Sequence, residues 1–80
     1  MYVELIYDKR NVAGLPNAKE IIHAELEKRI QRVFPDAEVS VKPMQRNGID
    51  TDASKGDKAT MARIIEEMFD EADQWMVNDI

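Results

Sequence analysis

The chain has 80 residues, no cysteine and a net charge of −5, which fits one small domain near the lower size limit for a single hydrophobic core. This length excludes a large enzyme with a cleft between two lobes, and the lack of cysteine excludes disulfides, thiolate metal sites and thiol nucleophiles. The longest apolar run is three residues. Such a run excludes a membrane-spanning helix and a signal-peptide core, so we expect a cytoplasmic protein.

Residues 1–8 predict a β-strand. Val3, Leu5 and Tyr7 alternate with the residues between them, and β-branched and aromatic side chains favour strands. Ile6 lies on the opposite face from these three, which indicates that both faces of the strand are partly covered.

An amphipathic helix is expected next, after a loop over residues 9–15. Pro16 suits the first helical turn, where its missing N–H has no partner to lose, while Asn17 offers a capping pair with Glu20 as an alternative start. Pro35 ends the helix, because the residue before a proline is pushed out of the α region. The apolar stripe of this helix consists of Ala18, Ile22, Leu26, Ile30 and Val33.

Two further strands are predicted between the helices. Residues 38–42 alternate in polarity, and Pro43 limits this strand or places its end at a sheet edge. Asn47-Gly48 is typical of a hairpin turn, because both positions tolerate positive φ. A third strand over residues 49–53 would be short and exposed, since it carries one large apolar side chain and two aspartates.

A second helix is expected to run to about Met76. Ser54 and Asp57 resemble a capping box at its start. Its apolar positions fall within roughly 140° of arc at the helical period. They are Met61, Ile64, Ile65, Met68, Phe69, Ala72, Trp75 and Met76.

This order of elements predicts one α+β domain over residues 1–80, with the arrangement β-α-β-β-α. The first two strands should be parallel with a right-handed crossover. The hairpin should then add an antiparallel edge, and both helices should cover one face of a small mixed three-stranded sheet.

The negative charge is concentrated near the C-terminus. Residues 1–40 have a net charge of −1 and residues 41–80 of −4, and the last basic residue is Arg63. Direct nucleic-acid binding is therefore not expected, because phosphate contacts need a basic surface. The acids that follow Arg63 are Glu66, Glu67, Asp70, Glu71, Asp73 and Asp79.

The acids of the second helix have two interpretations. Glu66, Asp70 and Asp73 project opposite the apolar stripe, with Glu67 and Glu71 beside them. Like charges at i,i+4 and acids near a helix C-terminus both oppose helix formation. One interpretation is a solvated face that aids solubility. The other is a presented anionic surface, because carboxylates four residues apart rise about 6 Å, comparable with successive phosphates of an extended single strand.

No catalytic residue, metal site or cofactor site is predicted. His23 has no second histidine or cysteine to complete a metal site, and Ser40 and Ser54 have no base in the pattern. Trp75 falls on the apolar side of the second helix, where it is either a packing anchor or a binding hot spot.

Six segments, taken in chain order, carry a family resemblance. They are residues 3–12 (VELIYDKRNV), 15–16 (LP), 34–36 (FPD), 41–45 (VKPMQ), 64–69 (IIEEMF) and 72–75 (ADQW). Together they resemble the DinI-like family and are closest to its MsgA virulence-protein branch. The resemblance covers essentially the whole chain.

The resemblance implies a non-enzymatic regulator of the SOS DNA-damage response that binds the RecA filament. The acidic last helix would act toward RecA somewhat as single-stranded DNA does. We expect a monomer without a cofactor. The alternative is a stress or virulence-associated adaptor that binds another protein through Trp75 and exposed apolar surface. The expected partner-binding residues are Glu66, Glu67, Asp70, Glu71, Asp73 and Trp75.

Overall fold

The computed structural model describes residues 1–12 and 17–76. No helix in these ranges is long and apolar enough to cross a membrane. The elements are β1 (Tyr2–Asp8), a 3₁₀ turn (Lys9–Val12), α1 (Ala18–Val33), β2 (Glu38–Met44), β3 (Gly48–Thr51), α2 (Lys55–Asp70) and α3 (Ala72–Trp75).

The sheet has the order β2-β1-β3, with β1 in the centre. β1 pairs with β2 in parallel and with β3 antiparallel, so the mixed three-stranded sheet of an α+β domain is confirmed. The predicted hairpin between the second and third strands is wrong, because β3 pairs with the far side of β1. Val3 and Leu5 lie opposite Thr51 and Ile49 in this register. Placing β3 there covers both edges of β1, the most apolar strand of the three.

The two outer strands differ in detail from the prediction. β2 continues through Pro43 to Met44, where Pro43 lies opposite Tyr7. An edge strand tolerates proline, since an N–H on its outer side has no ladder partner. The third strand forms and is short, with four residues of which Asp50 is exposed.

The core lies between one face of the sheet and the helices α1 and α2. β1 contributes Val3, Leu5 and Tyr7 to it, as the strand alternation predicted. Ile6 points to the opposite face and is nevertheless 8% exposed, which confirms that both faces of β1 are covered. The largest side chains that are completely buried are Ile22, Leu26, Ile30, Met61, Met68 and Val3.

The ends of α1 differ partly from the prediction. Pro16 lies outside the described residues. Asn17 is the N-cap in the left-handed conformation, with φ of 61°, and its side chain makes no capping hydrogen bond. Asparagine adopts this conformation more readily than most residues. At the other end, Val33 is the last residue of α1 and is 52% exposed, so it does not join the core as the stripe predicted.

An ion pair closes the end of β1. The Arg10 Nη2 lies 2.6 Å from Asp8 Oδ2, and the backbone N–H of Arg10 donates to Asp8 Oδ1 at 3.0 Å. These hydrogen bonds from the Arg10 side chain and backbone lower the pKa of Asp8 from 3.8 to about 2. A lowered pKa in the folded state means that the ionised carboxylate stabilises the fold.

We expect the contribution of Asp8 to stability to disappear in acid. It is fully present above the unfolded pKa of 3.8 and is lost as the pH falls through the folded pKa of about 2. Asp8→Asn should therefore lower the urea midpoint near neutral pH and have a much smaller effect near pH 2. The exposed Asp36, replaced in Asp36→Asn, is the control. A destabilisation by Asp8→Asn that does not depend on pH would contradict the ion pair.

Candidate partner-binding surface

The C-terminal helical segment displays five acids in its last turns. We call Glu66, Glu67, Asp70, Glu71 and Asp73 the acidic surface. All five side chains are exposed. The last turn of α2 contains no basic residue, so nothing in that turn offsets the negative end of the helix dipole. This surface has an electrostatic cost in the folded protein.

The start of α2 is arranged in the ordinary way. Ser54 is the N-cap, and its hydroxyl accepts the Asp57 backbone N–H at 3.3 Å, which confirms this part of the predicted capping box. Asp57 also lies in the first turn, where a negative charge favours the dipole. The unfavourable placement of acids is therefore confined to the C-terminal end of the helix.

The predicted continuous helix to Met76 is wrong. α2 ends at Asp70, Glu71 takes φ of −101° and ψ of 16°, and the four-residue α3 follows. The Glu71 N–H approaches the carbonyls of Glu67 at 3.1 Å and Met68 at 3.2 Å, as it would where a helix tightens in its last turn. The acidic surface therefore spans the end of α2, the turn at Glu71 and the start of the four-residue α3.

Trp75 folds back onto the end of α2. Its indole Nε1–H donates to the Met68 carbonyl at 2.6 Å, and its ring lies 6.1 Å from the Phe69 ring at a 55° tilt. The side chain is half-buried against the core. A carbonyl near the C-terminus of a helix lacks a full set of backbone partners, and the indole supplies one here.

The five acids are not equivalent. Glu71 forms an ion pair with Arg29 of α1 at 2.7 Å, and Glu67 lines the same polar cleft between α1 and α2. The other four form no ion pair within residues 1–12 and 17–76, and of these only Glu67 lines that cleft, which leaves Glu66, Asp70 and Asp73 outside it. We call these three the outer acids, since they are free to meet an external cation.

Arg29 is held by two carboxylates. Its Nε donates to Glu25 Oε2 at 2.6 Å, and Lys28 Nζ lies 3.4 Å from Glu25 Oε1. Burial would raise the pKa of Glu25, yet the hydrogen bond from Arg29 and the charge of Lys28 bring that pKa below its usual value. The hydrogen bonds to Glu25 and then Glu71 raise the pKa of Arg29. Both shifts favour the charged forms of Glu25 and Arg29.

An apolar groove of about 560 Å³ lies beside the acidic surface. It runs between the ends of β1 and β3 on one side and α2 and α3 on the other. Phe69, which is 36% exposed, and Met76 form part of its wall. The sequence pattern places these two side chains on the core stripe and gives no sign of the groove, because its walls come from four separate elements.

Within the described parts of the chain, no group of three or more His, Asp or Glu side chains could hold a metal ion. What the arrangement offers chemically is a set of solvent-facing carboxylates at the end of α2 and the start of α3, with an apolar groove at their side. The fold and this surface define a small α+β protein that presents an acidic helical face.

The chain belongs to the DinI-like family, whose family model matches residues 16–76. The resemblance predicted from the sequence is thereby confirmed.

Relatives of two kinds are similar to most of the chain. Virulence protein MsgA of Salmonella typhimurium is 58% identical over 77 residues, which cover 96% of this chain and 98% of the relative. DNA damage-inducible protein I of Serratia marcescens is 38% identical over 77 residues, covering 94% and 95%. The protein of that name from Escherichia coli K12 is 37% identical over 65 residues, covering 78% and 80%.

Proposed function

We propose that this protein is a non-enzymatic regulator of the SOS DNA-damage response that binds the RecA filament through its acidic surface. The observation that carries the proposal is the set of outer acids, which are exposed and form no ion pair within the described chain, with Asp70 in the last turn of α2, where the dipole disfavours it. Membership of the DinI-like family and the names of the DNA damage-inducible relatives support the same conclusion.

The physical basis is imitation of single-stranded DNA. A groove that binds single strands is lined with basic side chains that follow the phosphates. Carboxylates one helical turn apart rise about 6 Å along the axis, a spacing comparable with that of phosphates on an extended strand. The outer acids would occupy phosphate positions, and the net charge of −5 disfavours binding of DNA by the protein itself.

The protein would act as a monomer in the bacterial cytoplasm, without cofactor or catalysis. Its partner-binding residues would be Glu66, Glu67, Asp70, Glu71 and Asp73, with Trp75 supporting the turn that carries the last of them. The outer acids would make the direct contacts. Glu71 is already paired with Arg29, so its contribution to binding would be indirect.

The test is the affinity for RecA assembled on single-stranded DNA, measured at low and raised salt. Neutralising the outer acids in the triple variant Glu66→Gln, Asp70→Asn, Asp73→Asn should weaken binding. Three exposed ion pairs at about 0.5–1 kcal/mol each give roughly a tenfold to hundredfold loss. The affinity of the wild-type protein should also fall as salt rises, because salt screens exposed charges.

A matched control separates position from total charge. The variant Glu20→Gln, Asp36→Asn, Glu38→Gln removes three exposed acids elsewhere, and both variants change the net charge from −5 to −2. The control should keep most of the affinity. Equal losses in the two variants would mean that net charge alone matters, and no binding of the wild-type protein at micromolar concentration would refute the proposal.

A second candidate is a stress or virulence-associated adaptor that binds another protein. The apolar groove beside Phe69 favours it, since an exposed apolar groove is a common feature of protein-binding sites. The relatives named virulence protein MsgA are also consistent with it. Binding through the groove would depend little on salt, in contrast to binding through the outer acids.

A further inference from the structure

Arg29 connects α1 to the turn between α2 and α3. Its Nη2 donates to Glu71 Oε1 at 2.7 Å while its Nε donates to Glu25 Oε2 at 2.6 Å. The Glu25 side chain is 12% exposed and that of Arg29 21%, so this end of the cluster is shielded from water. The planar guanidinium can hold two carboxylates in fixed directions, which an ammonium group cannot do as well.

Glu71 is the residue at which the chain changes direction. It ends α2 as the C-cap and precedes α3 as its N-cap. Its carbonyl accepts the Gln74 N–H at 2.8 Å, which starts the last helical turn. Any restraint on Glu71 therefore acts on the direction of α3.

Two side-chain contacts hold this turn from opposite sides. Trp75 holds α3 from the apolar side through its bond to the Met68 carbonyl. Arg29 holds Glu71 from the polar side. Asp73 lies between these contacts on α3, so its place beside the other outer acids depends on both.

The turn needs a cation because its surroundings are negative. Glu67 lies one turn before Glu71 on the same side, and like charges at this spacing repel. The C-terminal end of α2 adds its own negative dipole. Among the ion pairs of residues 1–12 and 17–76, Arg29 is the cation that reaches the acidic surface.

We propose that Arg29 is a positioning residue for the acidic surface: by holding Glu71 it fixes the turn and so sets Asp73 relative to Glu66 and Asp70. Its effect on binding rests on the proposed function. In this arrangement the outer acids face the partner, and Glu71 acts within the protein.

The test compares Arg29→Gln with Arg32→Gln. Both variants change the net charge from −5 to −6, and the exposed Arg32 forms no ion pair in the described chain. The added negative charge should affect long-range attraction to a basic filament equally. Arg32→Gln should bind RecA filaments as well as the wild type or slightly better, and Arg29→Gln about threefold to tenfold more weakly. Equal binding of the two variants would overturn the proposal.

Glu71→Gln and the double variant with Arg29→Gln complete a mutant cycle. Glu71→Gln should weaken binding about as much as Arg29→Gln, and the double variant should be no weaker than either. If Glu71 instead contacted the partner directly, Arg29→Gln would free that carboxylate and tighten binding. Tighter binding of Arg29→Gln than of Arg32→Gln would therefore also overturn the proposal.

Amide hydrogen exchange gives a readout that needs no partner. The N–H groups of Gln74 and Met76 bond within the turn and α3, whereas that of Leu26 lies in the middle of α1. Arg29→Gln should speed exchange at Gln74 and Met76 without speeding it at Leu26, and Arg32→Gln should change neither. A uniform increase, or none, would contradict positioning. If the wild type fails to bind RecA, the proposed function fails, and the exchange rates still decide whether Arg29 sets the turn.

Discussion

Leu26→Ala should cost about 2–5 kcal/mol of unfolding free energy, the range for truncating a fully buried leucine. Leu26 is 0% exposed and belongs to the core cluster between the sheet and the helices. A domain of this length has a total stability of only about 4–12 kcal/mol. The substitution should therefore remove a large part of it, because the chain has no disulfide to limit the loss. Urea unfolding followed by far-UV circular dichroism measures the change.

Val33→Ala is the control for this prediction. It shortens an aliphatic side chain on the same helix, but Val33 is 52% exposed. The expected change is within about 0.5 kcal/mol. The slope of the urea dependence should stay the same in both variants, since it follows the surface exposed on unfolding. Similar losses for the two substitutions would mean that α1 is not packed on the sheet as described.

Local periodicity was sufficient to predict most of the secondary structure. Val3, Leu5 and Tyr7 mark the inner face of β1, and the spacing of Ile22 and Leu26 marks that of α1, because each pattern is repeated within a few residues. The position of β3 could not be found in this way. Asn47-Gly48 indicated a local hairpin, whereas the actual partner of β3 is a strand more than forty residues away. β3 could pair with the free edge of β2 or with the free edge of β1, and pairing with β1 places that apolar strand in the centre of the sheet. A short stretch of sequence cannot show which edge is used, because the choice depends on strands that are distant along the chain.

The candidate site was predicted in part for the same reason. The five acids are visible as a run of charge after Arg63, and the structure leaves all of them exposed. The interruption at Glu71 has no glycine or proline to signal it. It depends on Trp75, which satisfies a carbonyl seven residues earlier, and on Arg29, 42 residues away. Which acids are paired and which are free could therefore be learned only from the tertiary contacts.

Binding through the acidic surface and binding through the apolar groove should depend differently on salt, which separates the two candidate functions. The outer acids act through charge, so their effect must fall with salt. The groove acts through burial of apolar surface, which salt affects little at moderate concentrations. Phe69 lines the groove and also contacts Trp75, so the two surfaces share a structural support. Variants of Trp75 therefore distinguish a role of this side chain in packing from a role in direct binding of a partner.

Trp75→Ala should destabilise the protein by about 2 kcal/mol. This is less than the loss expected for truncating a fully buried tryptophan, because the Trp75 side chain is half-buried. It removes both the ring contact with Phe69 and the hydrogen bond to the Met68 carbonyl. Trp75→Phe keeps an aromatic ring and removes only the N–H donor, so about 1 kcal/mol is expected. Trp75 is the only tryptophan, so far-UV circular dichroism rather than fluorescence must follow the unfolding.

The same two variants decide between the candidate functions when binding is measured under conditions where both are folded. If Trp75 supports the turn, both should bind the RecA filament less tightly, in proportion to the faster amide exchange at Gln74 and Met76, and the salt dependence should be kept. If Trp75 is a contact residue of an adaptor, Trp75→Ala should abolish capture of a protein partner with little change in stability or exchange. That second pattern, with binding insensitive to salt, would favour the groove over the outer acids as the binding site. Truncating a hot-spot tryptophan removes its direct contact with the partner and does not act through the position of Asp73.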